Sequence, residues 1–273
     1  MDTSPTSLLQ STLDRITFAV VDVETTGLNP YMGHRLCEIA IVLQRGDQEI
    51  EAFVRRVNPE RPIDPRAQAV HGISDEELRD APRFAEIAAT VRDYLEDAVI
   101  VGHNVLFDVE FLATEWRRLH WPPPRAHLVD TLALARRWLE LPSNRLVSLA
   151  STLDISTDAA HSALGDARIT AQVLYALTRM LRSHSVTTLG DLINAQGGFI
   201  SWPQTPWGNL PSILQHALMN KYELWLRYIN KDGIVTERRV VPLDASDKYL
   251  IAYCHLRQAQ RSFRIDRILE MWF

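Results

Sequence analysis

Acids in three separated places could do chemistry together. Val20-Val21-Asp22-Val23-Glu24-Thr25-Thr26-Gly27 closes an apolar, β-rich run with two carboxylates one residue apart. A period of two puts both side chains on one face of such a strand. Carboxylates held that close repel unless a cation or a proton sits between them. An isolated D-x-E at a strand end usually just points its acids into solvent, so the pair matters only in company. Gly102-His103-Asn104-Val105-Leu106-Phe107-Asp108 ends a second apolar strand and turns into a helix, with Asp108 in the first turn. His161-Ser162-Ala163-Leu164-Gly165-Asp166-Ala167 sets a histidine five residues ahead of an acid, where another helix starts.

The order D-x-E, then H-N-x-x-F-D, then H-x-x-x-x-D resembles the three exonuclease motifs of the DEDDh group in the DnaQ-like superfamily. The resemblance covers about Ile16 to Arg182. It implies a ribonuclease-H-like fold, stepwise removal of nucleotides from a 3′ end, and an active site of Asp22, Glu24, Asp108, His161 and Asp166. The four acids are hard oxygen ligands suited to two divalent cations, Mg²⁺ or Mn²⁺. Hydrolysis of a phosphodiester needs an in-line water activated and a leaving oxygen stabilised, and two cations about 3.5–4 Å apart do both. His161 is then the general base, because a neutral imidazole with a pKa of about 6.5 accepts a proton near neutrality. Thr25 and Thr26 resemble residues whose backbone binds the terminal sugar and phosphate. Val70-His71-Gly72-Ile73 resembles a loop that wedges against the terminal base through His71 and Ile73, and Asn104 resembles a sugar contact. Ile73 fits a core position equally well. Asp130 reads as a helix-start acid, or one behind the ligands, rather than as a ligand.

These residues need a scaffold. Ile16 to Val23, Leu36 to Leu43 and Glu51 to Val57 are β-rich runs punctuated by turn residues, a three-stranded meander. Ser74-Asp75-Glu76-Glu77 has the form of a capping box, and Arg83 to Leu95 is amphipathic at helical spacing. Ala98 to Gly102 reads as a strand; Val105 to Leu119, Thr131 to Leu139, Arg145 to Leu153 and Ala163 to Arg182 read as helices. The fold class is therefore α/β, a mixed sheet flanked by helices. The expected organisation is an exonuclease domain over 16–182, a linker with one short helix over 183–210, and a small β-rich domain over 211–273.

That last segment opens with a helix near Pro211 to Lys221 and continues as strands, with Asn230-Lys231-Asp232-Gly233 marking a hairpin. Asp247-Lys248-Tyr249-Leu250 through Arg257, then Arg261 to Ile268, resembles a WYL domain with Lys248 in place of the name-giving tryptophan. The resemblance implies a small Sm-like β-barrel that senses nucleic acid or a nucleotide. Tyr249 and the arginines Arg257, Arg261, Arg264 and Arg267 are its candidate ligand residues, since guanidinium groups grip phosphate bidentately. A solvated face with structural ion pairs is the competing reading.

Charge divides the same way. Residues 1–182 hold 19 Lys and Arg against 26 Asp and Glu, residues 211–273 hold 10 against 7, and the 273-residue chain carries −5. An acidic balance is unusual for a protein on nucleic acid, but bound cations would offset part of it. There is no membrane-length apolar run and no basic, apolar leader in MDTSPTSLLQSTLDR, so cytoplasmic residence is the default. Cys37 and Cys254 read as two buried thiols. The expected partner is nucleic acid, single-stranded 3′ ends above all, with no membrane and with homo-oligomerisation left open. DNA is the favoured substrate. An exoribonuclease on short RNA ends is the enzymatic rival, and a nucleic-acid-responsive regulator with a silent exonuclease scaffold the rival of another class.

Overall fold

The computed structural model describes residues 8–160, 162–203, 210–246 and 248–273. They divide into two compact units: the chain up to Leu28 with Arg35–Pro203, and Asn29–His34 with Gln204–Phe273.

In the first unit β1 (Phe18–Thr25), β2 (Leu36–Arg45) and β3 (Gln48–Arg56) form the expected meander, extended by β4 (Val99–Gly102) and β5 (Leu128–Asp130). The order is β3-β2-β1-β4-β5, antiparallel through the meander and parallel from β1 to β4 to β5. The helices are α1 (Pro65–His71), α2 (Asp75–Leu78), α3 (Phe84–Glu96), α4 (Val105–Arg118), α5 (Thr131–Trp138), α6 (Leu146–Thr152), α7 (Ala163–Leu181) and α8 (Leu189–Gln196). This is the mixed, helix-flanked sheet of a ribonuclease-H-like fold.

Strand β1 sorts its side chains by parity. Ala19, Val21 and Val23 join Ile39, Ile41 and Ile100 in a core with Phe84 and Val91 of α3 and Phe111, Leu112 and Trp116 of α4. Val20 joins Ala40, Val42, Val101 and Val129 in another core with residues of α5 to α8, including Ala167 and Val173 of α7. Asp22 and Glu24 continue the Val20 row, so β1 delivers both acids to the face that α7 covers. Ser74 caps α2 in the expected capping box with Glu77.

Three elements differ from the sequence reading. The segment before Gly72 is helix α1, with Asp64 capping it and Pro65 at its start. Strand β5 is an addition. Residues 183–203 belong to the first compact unit, with Leu189, Leu192 and Ile193 of α8 buried in its core.

In the second unit α9 (Ser212–Asn220) precedes β6 (Leu224–Ile229), β7 (Val235–Ala245), β8 (Tyr249–Cys254), β9 (Ala259–Arg264) and β10 (Ile268–Trp272). The sheet is antiparallel throughout, in the order β10-β6-β7-β8-β9. As paired among the described residues it is open, without a β9–β10 ladder to close a barrel. Leu214 and Leu218 of α9 cover Leu224, Leu226, Val240, Leu250 and Phe263. The β6–β7 hairpin turns at Asn230–Gly233, where Asn230 Oδ1 accepts from Asp232 N and Ile234 N, both at 2.9 Å, and Gly233 takes φ 79°. A 3₁₀ turn at Ile265–Arg267 separates β9 from β10. Cys37 and Cys254 are buried free thiols, and burial pushes Cys37 up to about 12. Among the described residues no helix is long and apolar enough to cross a membrane.

Candidate active site

Carboxylate oxygens of Asp22, Glu24 and Asp166 lie within 4.8 Å of one another. The first two arrive on one face of β1. Asp166 arrives on the first turn of α7, where the positive end of the helix dipole favours negative charge. Ser162 sets that turn: its Oγ accepts from Gly165 N at 3.2 Å. Gly165 is obligatory here, since a Cβ would meet the Ala159 carbonyl oxygen at 1.7 Å.

Asp108 stands beside this cluster rather than inside it. It is buried on the first turn of α4, and its Oδ1 accepts from Val23 N at 3.1 Å. That bond ties the acid to the strand between the other two. Gly102 leaves the room, because a Cβ there would come within 2.9 Å of Val105 Cα and 3.2 Å of Asp108 Oδ2. His161 lies outside the described residues.

Water is partly excluded from these acids, and their charges face one another. Burial pushes Asp22 well above the usual carboxylate range, and the charges of Asp108, Glu24, Asp166 and Glu38 push it further. Burial, then Asp166 and Glu38, raises Glu24 to about 7. Asp108 is raised by burial despite the hydrogen bond from Val23. Acids so placed hold protons at neutrality or surrender them to a cation. Hard, converging oxygen donors are the donor set that divalent Mg²⁺ or Mn²⁺ takes, so the residues fit such ions. Glu38 was not singled out from the sequence. It faces Glu24 across the β1–β2 ladder and lies 3.5 Å from Arg56 Nε.

The substrate-side candidates are placed as follows. Thr25 Oγ1 donates to Gly27 O at 2.9 Å, and Thr26 braces the loop internally. Thr26 N donates to Arg35 O, its Oγ1 accepts from Arg35 N, and its carbonyl accepts from Asp64 N. His71 Nδ1 accepts from Ile73 N at 3.0 Å, and burial lowers its pKa. Ile73 is buried with Cys37, Ile63 and Leu78, so the apolar side chain this loop offers to solvent is Val70, 67% exposed. Asn104 is exposed, takes φ 72°, and donates its backbone N–H to Asp130 Oδ1 at 2.9 Å. The same Oδ1 accepts from Leu132 N, so Asp130 caps α5 as a helix-start acid.

In the second unit Tyr249 is exposed and pairs in register with Arg264. Arg264 forks onto Asp266 at 2.6 and 3.0 Å. Arg257 and Arg261 are exposed and form no ion pair among the described residues; Arg267 is half-buried in the 3₁₀ turn.

Comparison with known proteins agrees with both halves of this description. The exonuclease family matches residues 19–174 and the WYL domain residues 210–271. The chain is 36% identical over 189 residues to the DNA polymerase III subunit epsilon of Escherichia coli (strain K12), covering 65% of this chain and 78% of that protein. It is 35% identical over 185 residues to the PolC-type DNA polymerase III of Thermotoga maritima, covering 67% of this chain but only 13% of the polymerase. Among solved structures, exonuclease X in complex with 5′ overhanging duplex DNA superposes with a TM-score of 0.54 at 25% identity, covering 66% of this chain and 99% of that one.

Proposed function

The chain belongs to the exonuclease family, and on that footing we propose that it is a metal-dependent exonuclease that removes 5′-mononucleotides from the 3′ ends of nucleic acid, DNA in preference. The observation that carries this reading is the convergence of Asp22, Glu24 and Asp166 oxygens within 4.8 Å, with Asp108 buried alongside. In this reading those four acids hold two divalent cations, Mg²⁺ or Mn²⁺. Such ions, when bound, polarise the phosphate and make a water more acidic. His161 takes the proton from the attacking water as general base. Thr25, Asn104 and the 70–73 loop hold the terminal nucleotide. The functional division runs 16–182 for chemistry and 211–273 for binding a strand or a nucleotide through Tyr249 and the arginines.

The deciding experiment offers end-labelled single- and double-stranded DNA and RNA to the full chain with Mg²⁺, Mn²⁺ or EDTA. Stepwise loss of 3′ nucleotides with either metal is expected, faster on DNA, and Asp22→Ala or Asp166→Ala should remove most of it. Turnover that survives both EDTA and these substitutions would falsify the assignment; a preference for RNA would move it to an exoribonuclease.

A further inference from the structure

A cavity of about 400 Å³ opens beside the end of β4, between α5 and α6, and none of the roles above uses it. We propose that it is a phosphate subsite for the nucleic-acid strand upstream of the cleaved bond, with Arg136 and Arg145 as its cations. The identity of the ligand rests on the nuclease reading.

Charge comes first. Arg136, in the last turn of α5, and Arg145, at the start of α6, both line the cavity and are exposed. Neither forms an ion pair among the described residues, whereas Arg35, Arg56, Arg168 and Arg182 each hold an acid. Guanidinium groups left unpaired around a concavity are matched to phosphate oxygens, which accept two N–H bonds at once.

The cavity is also built rather than incidental. His103 ties its wall: Nε2 lies 2.8 Å from the Asn144 carbonyl and Nδ1 3.0 Å from Thr131 Oγ1. A carbonyl can only accept, so Nε2 carries a proton, and Thr131 Oγ1, which also donates to Gly102 O at 3.2 Å, sits against Nδ1. Burial lowers the His103 pKa. The turn that carries Arg145 is thereby fastened to the end of β4. Asn144 Oδ1, in the same turn, is buried without a hydrogen-bond partner. Orphaned buried polar atoms are rare and mark places where a ligand or water completes the site.

Register places the cavity next to the acids. Val20 on β1 pairs with Val101 on β4 in parallel. Asp22 and His103 each lie two residues beyond that last pair, His103 just past the end of β4 and Asp22 on the part of β1 that runs on to Thr25, and neighbouring strands are about 4.8 Å apart. A strand whose terminal phosphate sits on Asp22, Glu24 and Asp166 has its next phosphates within reach of this opening. The acids repel a polyanion until cations neutralise them, and two unpaired arginines at the edge supply the opposite pull.

The test measures binding by competition anisotropy on the full chain in EDTA, with a DNA dinucleotide and a DNA tetranucleotide, for the wild type and for Arg136→Ala/Arg145→Ala. Both positions are exposed, so the double variant keeps its fold. Tetranucleotide affinity should fall roughly 10- to 100-fold, the worth of one or two charged hydrogen bonds. Its salt slope should flatten by about 0.7 for each lost phosphate contact. Dinucleotide affinity should stay within about twofold. Equal losses on both ligands, or none on either, overturn the subsite. Turnover with Mn²⁺ separates the two ideas. A wild type that binds the tetranucleotide through these arginines yet never cleaves it sinks the nuclease reading and leaves the subsite standing. Cleavage together with undiminished tetranucleotide affinity in the variant removes the subsite alone.

Discussion

Asp22 and Glu24 stand partly stripped of water among other carboxylates, and their protonation is linked to stability. Glu24 titrates at about 7 in the folded protein and Asp22 well above its ordinary range. Unfolded, both titrate near 4. Between roughly pH 4.5 and 7 the metal-free folded chain therefore holds protons that the unfolded chain has lost. The stability supplied by the neutral carboxyls is full below that window and is lost as pH rises through it. For Glu24 alone the loss is on the order of 3 kcal/mol. A divalent cation reverses the sign, because it binds the ionised form. In EDTA, Tm should fall between pH 5 and pH 8, and added Mg²⁺ should raise it far more at pH 8. A Mg²⁺ effect equal at the two pH values would count against a metal role for these acids. His161 has a different job in the same proposal. His161→Ala should slow turnover by roughly 10²- to 10⁴-fold, with metal affinity measured by calorimetry nearly unchanged. Collapse of metal binding along with rate would make it a ligand instead. The convergence of Asp22, Glu24 and Asp166 was legible in the sequence because each motif is short and keeps its acid beside a strand end or helix start. Glu38 was not, since it meets Glu24 only through a ladder register that no local spacing reveals.

At the scale of elements, the site depends on how the loop after β1 is held. Arg35 pairs its backbone with Thr26 and sends a bidentate fork to Glu115 on α4, at 2.6 and 2.8 Å. Glu115 is buried, so the pair ties the end of the acid-bearing strand to the helix that carries Asp108. Removing Glu115 leaves Arg35 its longer contact to Glu60 at 3.6 Å, so the cost is at most the about 3–5 kcal/mol of breaking a buried ion pair. Glu115→Ala should lower the urea midpoint accordingly, and replacing both Arg35 and Glu115 by apolar residues of similar size should restore much of it. A single variant as stable as the wild type would show that Glu60 or solvent takes up the Arg35 charge. The long amphipathic helices and the meander were legible from periodicity, which they display over many residues. Strand β5 has three residues and cannot show a period at all. Helix α1 is short and has no fully buried residue, so it lacks an apolar stripe; its Asp64-Pro65 start and Gly72 stop were the usable signals. Strand β10 was masked because β9, a 3₁₀ turn and β10 follow one another without a glycine or proline to punctuate them.

Over the whole molecule, charge is unevenly shared: 19 basic against 26 acidic residues in 1–182, and 10 against 7 in 211–273. An acidic catalytic unit can bind metal and cut phosphodiesters, yet it exerts little long-range pull on a polyanion. A tethered basic unit raises the local concentration of strand near the site without adding a contact there. Geometry separates the four arginines by role. Arg264 is occupied by Asp266, while Arg257 and Arg261 are exposed without an acidic partner among the described residues. The free pair should therefore carry the phosphate contacts, and Arg264 should mainly hold the turn into β10. Arg257→Ala/Arg261→Ala should raise KM on a long single strand and flatten the salt dependence of binding by about 0.7 per lost contact, with kcat nearly preserved. Arg264→Ala should leave that salt slope close to the wild-type value. If the double variant binds a long strand as tightly as the wild type at every salt concentration, the arginines of this sheet serve another ligand or the fold alone. If Arg264→Ala flattens the slope as much as the double variant, the ion pair with Asp266 opens on binding and all of them act together.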